Sequence, residues 1–104
     1  MYNPIGQSNN HPDQQDRIRR EIEKLTTLIE LTQDEYDKIL KTIKIFEKEY
    51  KYTSYSANTD DVNFKGKLSL ITVKLYHNHQ YANELNSLIK QYNEQLEIQK
   101  GYLI

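Results

Sequence analysis

Apolar side chains recur at alternating spacings of three and four residues along two long stretches of the chain. From Asp13 to Lys65 there is no glycine and no proline, so no helix-breaking residue interrupts the first stretch. A period of 3.5 residues that is held for more than four heptads is typical of a left-handed coiled coil. We therefore predict an all-α fold of two long helices, and we call these two rows of side chains the seam. The seam comprises Ile18, Ile22, Leu25, Ile29, Thr32, Tyr36, Ile39, Ile43, Phe46 and Tyr50 in the first stretch, and Leu68, Ile71, Leu75, Asn78, Ala82, Leu85, Ile89, Tyr92, Leu96, Gln99 and Leu103 in the second.

Changes in composition divide this single predicted domain into five segments. Residues 1–12 hold both prolines and one of the three glycines, and we predict that they form a flexible N-terminal arm. The first helix is predicted over residues 13–52, and the second over residues 65–100 with a short tail at 101–104. Residues 53–64 are rich in Ser, Thr, Asn and Asp, which favour turns over helix, so this segment is predicted to be the connector.

The two helices are expected to form an antiparallel coiled-coil hairpin. Each is about 55–60 Å long, whereas a connector of about a dozen residues spans only about 40–45 Å, which excludes a parallel pair. The preferred register sets Ile43 against Ile71 and Tyr36 against Asn78. A register slipped by one heptad sets Ile43 against Asn78, and it leaves a buried polar group unpaired at a cost of about 1–3 kcal/mol. The alternative to a hairpin is a pair of splayed helices, each of which packs on another chain.

Three polar residues interrupt the apolar seam: Thr32, Asn78 and Gln99. A polar layer inside a coiled coil tolerates few alignments of the helices. We therefore predict that these three residues set the register and orientation of the packed helices.

A second set of large apolar side chains lies outside the seam, at heptad positions g and c. Because the g positions of two antiparallel helices lie on one flank, these side chains are expected to form a second apolar face, which partner helices would cover to complete a bundle. Scattered surface hydrophobes are the simpler explanation, and they are common. The predicted partner interface comprises Leu28, Leu31, Ile45, Tyr52, Leu70, Tyr81, Leu88, Ile98 and Tyr102.

Residue patterns typical of catalysis or of metal and cofactor binding are missing from the sequence. The chain has no cysteine, and His77 and His79 stand two residues apart, which points their rings to different sides of a helix. Many carboxylates lie four residues from a lysine, as Asp34 does from Lys38, and this spacing is typical of a solvated ion-pair surface. We therefore expect a non-enzymatic protein without catalytic, metal-binding or cofactor-binding residues.

These features predict a structural or interaction subunit that docks by coiled-coil and bundle packing into a multi-protein assembly. Its partners are expected to be other helical subunits, and a self-contained homodimeric four-helix bundle is the first alternative. The second alternative is a hairpin that binds nucleic acid or another polymer through its Lys/Tyr-rich end, although the net charge of −1 gives little general attraction. No apolar run approaches the roughly 18 residues of a membrane span, and no signal-peptide core is evident, so an intracellular location is expected.

Overall fold

A computed structural model describes residues 12–56 and 62–104, and these form two α-helices. Helix α1 runs from Pro12 to Ser56 and helix α2 from Val62 to Gly101, with no strand among the described residues. The all-α class predicted from the sequence is confirmed. Apart from Pro12, the predicted N-terminal arm lies outside the described residues, as do residues 57–61 of the predicted connector.

Both helices extend into the segment that was predicted to be a connector. Helix α1 includes residues 53–56, and the Ser54 hydroxyl donates to the carbonyls of Tyr50 and Lys51 at 2.9 and 3.0 Å, so this polar residue is satisfied inside the helix. Helix α2 begins before residue 65, and its first turns include Phe64, which is only 9% exposed. Burial of Phe64 stabilises helix in a segment that its polar composition assigns to a turn.

The chain divides into two compact units, each of which contains part of both helices. In the unit formed by residues 12–32 and 88–104, the start of α1 lies beside the end of α2. Gln15 Nε2 donates to the Tyr102 carbonyl at 3.5 Å, and the Ile104 N–H donates to Gln15 Oε1 at 3.4 Å. These contacts establish antiparallel packing in this unit. The preferred register sets Gln15 opposite Gln99, whereas these bonds reach Tyr102 and Ile104, so the register stays a prediction.

The other unit consists of the described residues between 33 and 87, on either side of the connection from α1 to α2. Five residues between the helices cannot span the length of a helix, so here too the helices run antiparallel. Lys74 of α2 reaches α1, with its Nζ 5.4 Å from the centre of the Phe46 ring. The buried side chains of this unit are Ile43, Phe64, Ile71, Ala82 and Leu85.

Burial follows the predicted seam closely. Every seam residue is buried or half-buried except Tyr50 and Leu103, which lie near the ends of the two rows. Gln15, Thr53 and Phe64 continue the alternating three- and four-residue spacing beyond the predicted ends of the seam. They are also buried or half-buried. The pairing of the two helices through an a/d seam is thus present in each unit.

The last residues of α2 form a tight turn. The N–H of Tyr102 donates to the Gln99 carbonyl at 3.0 Å, and that of Leu103 donates to the Lys100 carbonyl at 3.1 Å. These bonds join residues three apart, as in a 3₁₀ turn, and no described glycine has a positive φ. The helix therefore ends at Gly101 without the left-handed glycine that commonly closes helices.

Candidate interaction surface

The side chains predicted to form a partner interface are almost all exposed. Leu28 is half-buried, and the other eight are between 37% and 73% exposed. Burying a Leu, Ile or Tyr side chain contributes a favourable free energy, and these side chains do not gain it while water surrounds them. These eight exposed residues are Leu31, Ile45, Tyr52, Leu70, Tyr81, Leu88, Ile98 and Tyr102.

In the unit of residues 12–32 and 88–104, two interface candidates line shallow recesses. Leu28 contributes to a recess of about 480 Å³ that is lined by α1 alone, and its other lining residues are Arg20, Glu23, Lys24 and Thr27. Tyr102 lines another of about 470 Å³ that also includes Ile18, so this recess lies between the two helices.

In the unit of residues 33–87, charged residues separate the exposed apolar side chains. The g positions here include Glu35 on α1 and Lys67 and Lys74 on α2. Glu35 is half-buried, whereas the two lysines are exposed. The apolar side chains therefore form separate patches in this unit and not the continuous face that the sequence favours.

The same unit has an apolar groove on its other flank. Leu40 and Ile43 contribute its apolar part, and Asp37, Lys41, Lys44 and Glu47 complete a lining around about 430 Å³. Leu40 is 38% exposed and is the single apolar residue among the e positions of α1 from 19 to 47. Leu40 is therefore a further partly exposed apolar residue, in addition to the predicted interface.

The polar residues of the seam satisfy their hydrogen bonds within their own helices. The Thr32 hydroxyl donates to the Leu28 carbonyl at 2.6 Å, and the Asn78 amide donates to the Lys74 carbonyl at 2.7 Å. Across the described ranges no hydrogen bond joins Asn78 to Tyr36, the partner expected from the sequence. Gln99 is half-buried. A role of these residues in setting the register stays a prediction.

Two exposed apolar residues beside the predicted interface residue Leu70 were not recognised from the sequence. On α2, Val73 and Tyr76 are 51% and 60% exposed, and Leu70 is 56% exposed. Helical spacing places them on the side of α2 opposite the seam residues Ile71 and Leu75. The 3.5-residue seam periodicity does not detect them, although their spacing of three residues is a helical signal in its own right.

Three features of other kinds of site are absent from the described part of the chain. No group of three or more His, Asp or Glu side chains is arranged to hold a metal ion there. Neither α1 nor α2, where described, contains an apolar stretch that would cross a bilayer. No side-chain nitrogen or oxygen in these ranges is buried without a hydrogen-bond partner.

The candidate surface is therefore a set of exposed apolar side chains on two paired helices. Comparison with known proteins found no match: no family model fits the chain, and no curated protein or solved structure is significantly similar to it.

Proposed function

We propose that this chain is a non-enzymatic structural subunit that docks by helix packing into a multi-protein assembly. The observation that carries the proposal is the exposure of large apolar side chains on two helices whose seam is for the most part buried or half-buried. Further helices would cover Leu28, Leu31 and Leu88 and complete a bundle. The proposed setting is intracellular, with other helical proteins as the preferred partners.

The small core supports this proposal. Seven apolar residues of the described ranges are buried, and none of them is less than 2% exposed. Long helices derive most of their stability in water from packing an apolar face, and small scaffolds with little core usually need association. A chain of this kind gains stability when a partner covers its remaining apolar side chains.

The charged surface also suits an interaction role. The ion pairs Arg19–Asp16 and Lys100–Glu97 join residues three apart at 3.3 and 3.8 Å, with all four side chains more than half exposed. Exposed pairs of this type contribute only about 0.2–1 kcal/mol each. These charged side chains keep the polar sides of the helices solvated, so association would depend on the apolar patches.

The test of this proposal replaces two apolar side chains of the candidate interface. Leu28→Glu combined with Leu88→Glu is expected to abolish association while most of the helicity is retained, because both residues lie outside the seam. Light scattering gives the mass and far-UV circular dichroism gives the helicity. The matched control, Thr26→Glu with Asn86→Glu, adds the same charge at exposed e positions and is expected to leave the mass unchanged.

An unchanged oligomeric mass in the Leu28/Leu88 variant would contradict the proposed interface. A homodimeric four-helix bundle is the other assembly that the same surfaces would support. A mass of twice 12.4 kDa for the unmodified chain would identify it.

A further inference from the structure

A row of basic side chains follows the side of α1 that points away from the seam, in the unit of residues 33–87. Its members stand at heptad positions b and f, and each follows the one before it by three or four residues. Because each residue turns a helix by about 100°, they lie within an arc of about 80° and extend over about 21 Å of α1. All of them are exposed. The row, which we call the Lys/Tyr face, comprises Lys41, Lys44, Lys48, Lys51 and Tyr55.

The helix separates this row from the nearby carboxylates. Residues 41–55 contain two acidic residues, Glu47 and Glu49, and both lie outside the arc, one on each side of it. Asp37 lies on the same side of α1 one turn before Lys41, so the row begins after it. Within the described ranges none of the four lysines forms an ion pair with a carboxylate. The Lys/Tyr face is therefore locally positive although the chain has a net charge of −1.

The composition of the Lys/Tyr face restricts what can bind there. It has no aliphatic side chain within the row, so a partner helix would find no apolar ridge to pack against. The nearest apolar residues, Ile45 and Tyr52, stand at c positions on one edge and belong to the predicted partner interface. A helix that lies on a membrane inserts the apolar side opposite its lysines, and in α1 that side is the seam, where Ile43 is buried. The face therefore suits a flexible polyanion.

The tyrosine of the face distinguishes one polyanion from others. Tyr55 is 80% exposed, and it lies about one helical turn beyond Lys51, at the end of the line of positive charges. Proteins that bind single-stranded nucleic acid combine basic groups along the phosphate backbone with aromatic rings on which bases stack. An acidic peptide has no base to stack on Tyr55, and the bases of a duplex are already stacked on one another.

We propose that the Lys/Tyr face of α1 binds single-stranded nucleic acid, with the four lysines on neighbouring phosphates and a base stacked on the Tyr55 ring. The length of the face is enough for about four nucleotides, the lower end of known site sizes. This binding goes beyond the proposed docking by helix packing. It uses none of the nine residues of the predicted partner interface, so the two proposals can fail independently.

The test measures binding of the full chain to a labelled single-stranded DNA of about 20 nucleotides and mixed sequence, by fluorescence anisotropy. Contacts to four phosphates give a slope of about −2.8 for the logarithm of the binding constant against that of the salt concentration. Raising the salt from about 50 to about 200 mM is therefore expected to weaken binding about 50-fold.

Variants of the basic residues locate the site. Lys44→Glu with Lys48→Glu is expected to abolish binding to the single strand. The matched control, Arg17→Glu with Lys90→Glu, makes the same change in net charge at exposed residues of the other unit, outside the predicted partner interface. It is expected to weaken binding less than about threefold, because salt screens distant charges. Circular dichroism confirms that each variant remains helical.

Variants of the tyrosines test the stacked base. Tyr55→Ala is expected to weaken binding of the single strand at least about fivefold, and to leave the binding of a duplex of the same length nearly unchanged. Tyr76→Ala is the control, since Tyr76 is 60% exposed on α2 and lies outside both the Lys/Tyr face and the predicted partner interface. It is expected to change neither affinity.

Four outcomes would overturn the inference. These are no binding of the single strand at about 50 mM salt, equal losses in the two charge-reversal variants, no effect of Tyr55→Ala, and equally tight binding of poly-glutamate. The third would show that the face contacts phosphates alone, and the fourth would assign it to an acidic protein segment. Binding to phosphatidylserine vesicles without binding to the single strand would assign it to a membrane surface.

Discussion

Ile43 and Ile45 carry the same side chain two residues apart, yet Ile43 is 4% exposed and Ile45 is 60% exposed. The difference follows from helical geometry, since a step of two residues moves a side chain to the far side of the helix. Burial in this protein is therefore decided by heptad position more than by residue type. The same comparison separates the residues that stabilise the helix pair from those available to a partner.

We predict that Ile43→Ala lowers the free energy of unfolding by about 2 kcal/mol or more, because it removes buried methyl groups and leaves a cavity. Ile45→Ala is the matched control and is expected to change this free energy by less than about 0.5 kcal/mol. Urea unfolding at one protein concentration measures both. Equal losses in the two variants would show that the a/d seam does not stabilise the fold.

At the scale of the helices, α2 contains a glycine near its start that no contact requires. A Cβ added to Gly66 would meet no atom within 4 Å, and no described glycine adopts a positive φ. Glycine inside a helix costs about 1 kcal/mol relative to alanine. Gly66 therefore weakens the first turns of α2.

Gly66→Ala is expected to stabilise the protein by up to about 1 kcal/mol, which raises the thermal midpoint by about 4–8 °C in a domain of this size. Gly101→Ala is the control, since Gly101 is the last residue of α2 and has equally open surroundings. Its effect is expected to be smaller. A lower midpoint for Gly66→Ala would indicate that this position needs glycine for a close approach.

Most of the helix pairing was predictable because the heptad pattern is directly visible in the sequence. The helix ends were not, since Ser54 and Phe64 lie in a polar segment whose local preference for turns is overridden by hydrogen bonding and burial. The candidate surface was predictable only as a set of apolar positions. Whether Leu28 is half-buried and Leu31 exposed depends on packing against the other helix, which periodicity alone does not specify.

At the scale of the whole molecule, the buried seam and the exposed apolar patches imply different functions. The seam pairs the helices, and it leaves Tyr52, Leu70 and Ile98 with more than half of their surface in water. Exposed apolar patches on soluble proteins commonly mark interaction sites. We therefore propose that a partner protein or further copies of the chain cover these patches.

The most direct test is the mass of the purified chain by light scattering across concentrations, together with far-UV circular dichroism. We expect either a helical species at a multiple of 12.4 kDa, or a poorly helical or aggregating chain that requires another protein to fold. The first result would mean that self-association covers the patches, and the second that a different protein does. A compact, stable and fully helical monomer at all concentrations would contradict the proposal that a partner or further copies cover the exposed patches.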